Sequence, residues 1–434
     1  MTYLEQAARA LLAAAKAAGA DTAEVVVSEG ASLSVQRRLG AIEEIERAES
    51  RDVSLRVFLG HANASVSATN IEPNAFARLA EQAVSMARVV PEDPYAEIPL
   101  APPPPDAALL DLDDPAEPSV EMLSARAAEA EAAARGVPGI TNSEGANASW
   151  SRARSLLATS HGFLGCYARS HHGLSVTVLA GEGVNMQRDY DYSSTVHGQD
   201  LADPAALGFE AARRALARLN PARPQTGRLP LVFDPRVAGS FLGHLAGAIA
   251  GASIARGTSF LKDSLGTRLF APGITITDDP TRPRGLRSRP FDREGQPVSR
   301  RDFIADGVLT SWILDTRAAN QLGLKTTGNA GGLGNFYLHP GALTPAALMA
   351  DIKEGVYITE MIGSGVNGLT GDYSRGAAGF MIRDGQLAEP VAEFTIAGNL
   401  REMFAHLTPA NDLEFKRGTD APTLRIEGMT LAGA

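Results

Sequence analysis

His244 is the residue best suited to metal chemistry, and it lies in a predicted helix over residues 235–251. A metal site needs several ligands that converge on one point. The helix holds no second histidine and no acidic residue, so we predict that His244 is a core or helix-surface residue rather than a ligand. His171 and His172 are adjacent, and we interpret this pair as part of a turn before Gly173 rather than as a site.

A glycine pattern that resembles a nucleotide-binding motif lies at Gly363–Gly368, after a plausible strand over Val356–Met361. A dinucleotide site also needs a helix directly after the glycines and an acidic residue about 20 positions further on. Residues 369–376 are too rich in glycine to form that helix. We therefore reject dinucleotide binding.

The segment 278–302 carries a group of arginines, which are Arg282, Arg284, Arg287, Arg289, Arg293, Arg300 and Arg301. Acidic residues are interspersed among them, whereas an arm that reads phosphates would be more uniformly basic and would include aromatic residues. We predict a solvated hairpin or a loop that contacts a partner.

Four glycines are spaced by four residues along the predicted helix, at Gly239, Gly243, Gly247 and Gly251. Each interior glycine costs a helix about 1 kcal/mol relative to alanine, so the pattern calls for a packing reason. We predict that the helix is among the most buried in the chain, with another backbone packed on the glycines. The alternative is that the glycine face lines a cavity.

Composition restricts the class of protein. The chain has 434 residues, a net charge of -10 and one cysteine, Cys166. The acidic balance disfavours nucleic-acid binding, and a lone cysteine excludes an intrachain disulfide. The N-terminus lacks the basic and apolar regions of an export signal, and no apolar stretch is long enough to span a membrane. We expect a cytoplasmic protein that binds neither nucleic acid nor membrane.

The elements around these residues predict an α+β fold of two domains, 1–224 and 225–434. In the first, helix, strands and helix occur twice, and period-two alternation such as Val53, Leu55 and Val57 indicates antiparallel hairpins. A turn is predicted at Glu29-Gly30 within the first strands. The second domain is predicted to be rich in β-structure around the buried, glycine-striped helix.

Five segments of the second half resemble the TldD/PmbA family, also called modulator of DNA gyrase. They are residues 241–251, 259–266, 326–332, 370–380 and 396–400. The run Gly371 to Phe380 is specific to the PmbA branch, also called TldE. The resemblance covers essentially the whole chain, although the motifs of the first half are weaker.

The resemblance implies cytosolic zinc peptidases that act on small or unfolded peptides. The TldD-type subunit of this family carries an HExxxH helix and a C-terminal cysteine as zinc ligands. In this chain Ala246, Gly247 and Gly251 stand at the three motif positions, and Cys166 lies in the first half. We therefore expect no metal, no cofactor and no catalytic residue on this chain, with zinc only on a TldD-type partner.

The expected function is that of a non-catalytic PmbA/TldE-like subunit, paired with a TldD-type subunit in a heterodimer or higher assembly that processes peptides. One alternative is a peptide-binding or regulatory module that associates with a second copy of itself as a homodimer. Another is an enzyme of different chemistry that uses the 370–376 loop. That loop carries the candidate substrate or partner residues Asp372, Tyr373, Ser374 and Arg375. We predict that it is ordered by hydrogen bonds and a charge pair, close to the helix 235–251.

Overall fold

The computed structural model describes residues 2–69 and 72–434. The N-terminal domain begins with a helix that is capped by Thr2 and buries Leu4, Ala8 and Leu11. Its elements in chain order are α1 (Tyr3–Ala17), β1 (Thr22–Arg38), β2 (Ala41–Leu59), β3 (Ala62–Ala68), α2 (Pro73–Ala87), α3 (Val120–Arg135), β4 (Ile140–Thr159), β5 (Leu164–Ala180), β6 (Gln187–Thr195) and α4 (Pro204–Ala217). The predicted repeat of helix, strands and helix is therefore present.

The six strands form one sheet in the order β3-β2-β1-β4-β5-β6, and every neighbouring pair is antiparallel. Helices α1 and α2 pack against each other, and α3 and α4 do the same. Each helix pair closes one apolar cluster against the sheet, the first around Val25 and Leu55 and the second around Val35 and Val176. Residues 41–52 of β2 are exposed and pair with β1 alone among the described strands.

Two turns predicted in this domain are wrong. Gly30 lies within β1, where it faces Ser50 on β2 and Ala153 on β4. Pairing on both sides keeps the strand extended through the glycine. His171 and His172 lie within β5, so their side chains point to opposite faces of the sheet. The buried His172 ring approaches Asp114, with 3.2 Å between Nε2 and Oδ2.

The C-terminal domain is rich in β-structure, as the sequence predicts. Its elements are β7 (Gly227–Phe233), α5 (Pro235–Ala248), α6 (Gly251–Ala255), β8 (Ile276–Asp278), β9 (Arg301–Ala305), β10 (Val308–Leu309), α7 (Thr316–Leu322), β11 (Phe336–Leu338), α8 (Pro345–Met349), β12 (Glu354–Val366), β13 (Asp372–Arg383), β14 (Gln386–Asn399), α9 (Leu400–Ala405), β15 (Leu407–Pro409), β16 (Thr419–Asp420) and β17 (Leu424–Ala432).

Six of these strands are ordered β14-β13-β12-β7-β17-β15, and a further pairing of β14 with β17 closes the sheet into a barrel. The other five form a smaller sheet in the order β10-β9-β8-β11-β16. Helix α5 contacts β12 of the barrel and β11 and β16 of the smaller sheet. It therefore lies between the two sheets, within the largest apolar cluster of the chain.

The arginine-rich segment is a contact between the domains rather than a solvated hairpin. Phe291 is buried against Phe163 and Tyr167 of the N-terminal sheet, with ring centroids 5.1 and 5.5 Å apart. Arg284 forms ion pairs with Asp111 and Asp200. The charge of Arg284 is thus matched by carboxylates of the N-terminal half. No helix in the described residues combines the length and apolarity needed to span a bilayer.

Candidate functional site

Helix α5 begins where the sequence predicts and ends earlier. Asp234 caps it, because its carboxylate accepts the backbone N–H of Arg236 at 2.8 Å, and Pro235 takes the first helical position, where no backbone N–H is needed. The helix ends at Ala248 rather than at Gly251. There the backbone of Ile249 and Gly251 bonds to that of Ile313 instead of continuing the helix.

One face of α5 is strongly buried. Ala238, Phe241, Leu242 and Leu245 point into the apolar cluster between the two sheets. The Phe241 ring meets Phe233 at its edge, with centroids 4.7 Å apart. This face fixes the orientation of the helix and so determines what its opposite face presents.

The four glycines do not form one packed stripe, so the predicted packing is wrong for the two in the middle. A Cβ at Gly239 would lie 2.8 Å from the carbonyl oxygen of Thr419, which shows close backbone packing there. Gly243 and Gly247 are exposed, and a Cβ at either would meet nothing within 4 Å. At Gly251 a Cβ would lie 2.7 Å from Leu314. Helix α5 is therefore closed at Gly239 and bare at Gly243 and Gly247, and the chain is closed again at Gly251, after the helix has ended.

His244 lies beside this bare surface and is half-buried, as predicted for a core or helix-surface histidine. Its ring is edge-on to that of Tyr373, with centroids 5.8 Å apart. Burial lowers the pKa of His244, and the nearby charge of Arg375 lowers it further. Its buried Nε2 has no hydrogen-bond partner among the described residues.

The segment predicted to be a loop forms the start of strand β13 instead, and it contains Asp372, Tyr373, Ser374 and Arg375. Their proximity to α5 is confirmed by the contacts of Tyr373, whose buried ring lies 5.8 Å from that of Phe241. Burial raises the pKa of Tyr373 to about 12, and its hydroxyl points at the Met361 sulfur at 3.1 Å.

The predicted charge pair within this segment is wrong. Asp372 and Arg375 are three positions apart on a strand, so they lie on opposite faces. The exposed Asp372 accepts hydrogen bonds from Thr370 at 2.6 Å and Asn399 at 3.1 Å, and these bonds lower its pKa. Ser374 is exposed beside it, whereas Arg375 points inward with Tyr373.

Arg375 reaches a cleft of about 380 Å³ between the two domains. The cleft is lined by Arg188, Asp189, Tyr190, Arg218, Arg236, Val237, Ser240, Thr359, Glu360, Met361 and Arg375. Sequence reasoning missed all of these residues except Arg375. They come from β6, α5, β12, β13 and the residue that follows α4, and no local pattern predicts that these elements meet.

Comparison with known proteins identifies relatives along nearly the whole chain. Sequence models of the PmbA/TldA metallopeptidases match domain 1 at residues 23–87, the central domain at 113–219 and the C-terminal domain at 226–433. Metalloprotease PmbA of Escherichia coli O157:H7 is 39% identical over 419 residues, which cover 95% of this chain and 92% of that protein. The Metalloprotease PmbA homolog of Haemophilus influenzae is 33% identical, covering 99% and 96%.

The chain belongs to the PmbA/TldD metallopeptidase family. Solved structures share the fold. A putative modulator of DNA gyrase from Bacteroides thetaiotaomicron superimposes with a TM-score of 0.89 at 23% identity, over 99% of both chains. TldE from Thermococcus kodakarensis gives 0.85 at 19% identity, over 98% of this chain and 100% of that one. The resemblance that the sequence motifs indicate is thus confirmed.

The residues at the family's zinc-ligand positions do not fit a zinc ion. Ala246 and Gly247 carry no ligand atom, and Ala246 packs against the apolar cluster. Gly251 adjoins Leu314, Ala318 and the Ile313 carbonyl so closely that a side chain there would collide with them. Among the described residues, no three histidine, cysteine, aspartate or glutamate side chains are grouped to hold a metal. Cys166 lies on β5 of the N-terminal sheet.

Proposed function

We propose that this chain is the non-catalytic, PmbA/TldE-type subunit of a zinc metallopeptidase. Its TldD-type partner holds the zinc, and together they process small or unfolded peptides in the cytoplasm. The observation that carries the proposal is the state of α5 and the residues after it: the position of the motif glutamate is bare at Gly247, and the position of the second motif histidine is closed at Gly251. Hydrolysis by a zinc-bound water requires ligands and a general base, and this helix supplies neither.

The bare surface gives the helix a role other than catalysis. Gly243 and Gly247 let another backbone approach α5 closely, which side chains at these positions would prevent. His244, which lies next to Gly243 on the helix, is half-buried and packs edge-on against the buried Tyr373 ring. An extended peptide on its way to the partner's zinc is the proposed occupant, so α5 forms one wall of a shared peptide groove.

The free edge of β2 offers a surface for association. On the side away from β1, residues 41–52 pair with no other described strand, and Ile42 and Ile45 are about half exposed. Such an edge pairs readily with a strand of another chain. The proposed user is the TldD-type subunit. The same observation supports the alternative function, a self-associating peptide-binding or regulatory module in which a second copy occupies the edge.

Co-expression with a TldD-type subunit from the same organism tests the proposal. We expect a stable complex in size-exclusion chromatography with light scattering, and cleavage of an unfolded peptide that neither chain performs alone. Glutamate-to-glutamine replacement in the partner's HExxxH motif is the matched control and should abolish cleavage without separating the chains. A homodimer that does not bind the partner would favour the alternative function. Full peptidase activity of the partner alone would refute the proposed role.

A further inference from the structure

The cleft between the domains holds more positive charge than its carboxylates neutralise. Asp189 is buried and pairs with Arg236 at 2.7 Å and Arg218 at 3.4 Å. Arg218 also contacts Glu360. Both carboxylates of the lining therefore already have arginine partners.

Arg375 is the guanidinium in this cleft that is left unmatched. In the described part of the chain, no carboxylate lies within ion-pair distance of it. Its Nη2 makes one long hydrogen bond, of 3.4 Å, to the Met361 carbonyl. Its Nε is buried and has no hydrogen-bond partner among the described residues. A buried donor without an acceptor is costly, and a charged one more so, which indicates that an acceptor is missing from the site.

The second arginine of the lining, Arg188, differs from Arg375. Arg188 is about half exposed and pairs with Glu144 at 3.3 Å. Arg236 is held by two carboxylates, Asp234 and Asp189, and these carboxylates raise its pKa even though burial acts in the opposite direction. Of the arginines in the cleft, Arg375 is the one without a carboxylate partner among the described residues, although its guanidinium also interacts with the Tyr373 hydroxyl.

We propose that Arg375 binds the terminal carboxylate of a peptide within this cleft. The proposal rests on the peptide-groove function above and specifies which end of the peptide this chain holds. A guanidinium binds a carboxylate through two parallel N–H donors. The cleft volume of about 380 Å³ is within the range of small-ligand sites and suits the last residues of a chain.

The charge of the lining selects a carboxylate over a phosphate. Arg375 supplies one unmatched positive charge, which a single carboxylate neutralises. A dianionic phosphate would bring a second negative charge into a cleft that is also lined by Asp189 and Glu360, and repulsion between like charges is unfavourable in a partly desolvated site. The cleft also opens beside the first turns of α5, where Ser240 lines it, so a peptide held there by its end extends toward the bare surface at Gly243.

Binding of matched peptides to the isolated chain tests this assignment. Three N-terminally fluorescein-labelled alanine-rich hexapeptides are compared by anisotropy: one with a free C-terminal carboxylate, one with a C-terminal amide, and one amide that ends in glutamate. We expect the peptide with the free carboxylate to bind at least about tenfold more tightly than the plain amide, because one charge-assisted bidentate contact supplies a difference of that size. Added salt should reduce this preference.

Substitutions on β13 then assign the preference to one side chain. Arg375→Gln should bring the carboxylate peptide to the affinity of the amide and leave the amide unchanged, while Arg375→Lys should retain part of the preference. Arg383→Gln is the matched control, because Arg383 is on the same strand and pairs with Glu354 and Glu389 on the surface. Circular dichroism melts establish that each variant is folded.

Several results would overturn the assignment. They are equal binding of carboxylate and amide, binding by Arg375→Gln that equals the wild type, a preference that follows the glutamate side chain alone, and no peptide binding at millimolar concentration. None of these measurements uses a partner subunit. If the peptides show no carboxylate preference but the complex with the partner is active, only the proposed site is refuted. If the preference is intact but no complex forms, only the proposed function is refuted.

Discussion

The carboxylate of Asp189 and the guanidinium of Arg236 form an ion pair of 2.7 Å that joins the two domains. Asp189 belongs to β6 of the N-terminal sheet, and Arg236 to the first turn of α5. Both side chains are largely buried, with 2% and 10% of their surface exposed. This pair fixes the start of α5 against the N-terminal sheet and so forms the floor of the cleft that Arg375 enters.

Asp189→Asn should therefore destabilise the chain strongly. The change leaves Arg236 and Arg218 with less compensating charge in a buried place, and removal of one partner from such a pair costs on the order of 3 kcal/mol. Chemical denaturation followed by circular dichroism measures the loss. Glu389→Gln is the control, because its pair with Arg383 is exposed and should contribute less than about 1 kcal/mol. Equal stability of Asp189→Asn and the wild type would contradict the assigned role.

Substitutions of the glycines should change the stability of the fold in opposite directions, depending on the position. Gly243→Ala meets open space and should stabilise the helix by about 0.5–1 kcal/mol, since alanine has the better helix propensity. Gly251→Ala places a methyl group 2.8 Å from the Ala318 side chain and should cost about 1–3 kcal/mol by overpacking. Thermal melts of both variants decide this. A loss of stability in Gly243→Ala as large as that in Gly251→Ala would show that the centre of α5 is packed.

Gly247→Leu separates folding from function. The exposed position should accept the side chain with little change in melting temperature, because no atom lies within 4 Å of the added Cβ. The leucine would nevertheless fill the surface that the proposed peptide occupies. We expect the peptidase activity of the complex with a TldD-type subunit to fall several-fold, while complex formation persists. Undiminished activity would remove α5 from the peptide groove.

The chain should become less stable as pH rises from about 4.5 to about 7 because of Glu294. Burial raises the pKa of this carboxyl to about 7, although hydrogen bonds from Thr316 oppose the shift. The folded state therefore holds the proton more tightly than the unfolded chain, whose glutamate has a pKa near 4.5. The destabilisation is absent below about pH 4.5 and complete above about pH 7.

Glu294→Gln removes this titration, since glutamine stays neutral. Its melting temperature should match that of the wild type near pH 4.5 and exceed it at pH 8, by an amount equivalent to a free energy of unfolding on the order of 3 kcal/mol. The pH dependence of the difference is the test. A difference of the same size at every pH would show that Glu294 does not titrate between its folded and unfolded states in this window.

The architecture was accessible from the sequence wherever local patterns govern it. Period-two alternation in β2 and the Asp-Pro start of α5 predict these elements correctly, because residue spacing and capping are local properties. The turn predicted at Gly30 is wrong, because a strand that is paired on both sides tolerates a glycine. The predicted loop at 372–375 is a strand because β12 and β14 pair with it, and this pairing is set by partners distant in sequence.

The candidate site was less accessible than the fold. The motif residues identified Tyr373 and Arg375, but not the cleft, because its ion pairs join residues up to 142 positions apart. The spacing of the four glycines suggested one packed face. Only the three-dimensional contacts reveal that Gly243 and Gly247 are open, whereas Gly251 is closed by Leu314. Helical periodicity fixes which residues share a face, and not what that face meets.

The central claim is that this chain lacks a catalytic metal centre of its own. The most direct measurement is elemental analysis of the pure chain after expression with zinc in excess, together with a peptidase assay on an unfolded peptide. We predict much less than one zinc per chain and no cleavage that a chelator abolishes. One tightly bound zinc per chain with chelator-sensitive peptidase activity would contradict the account.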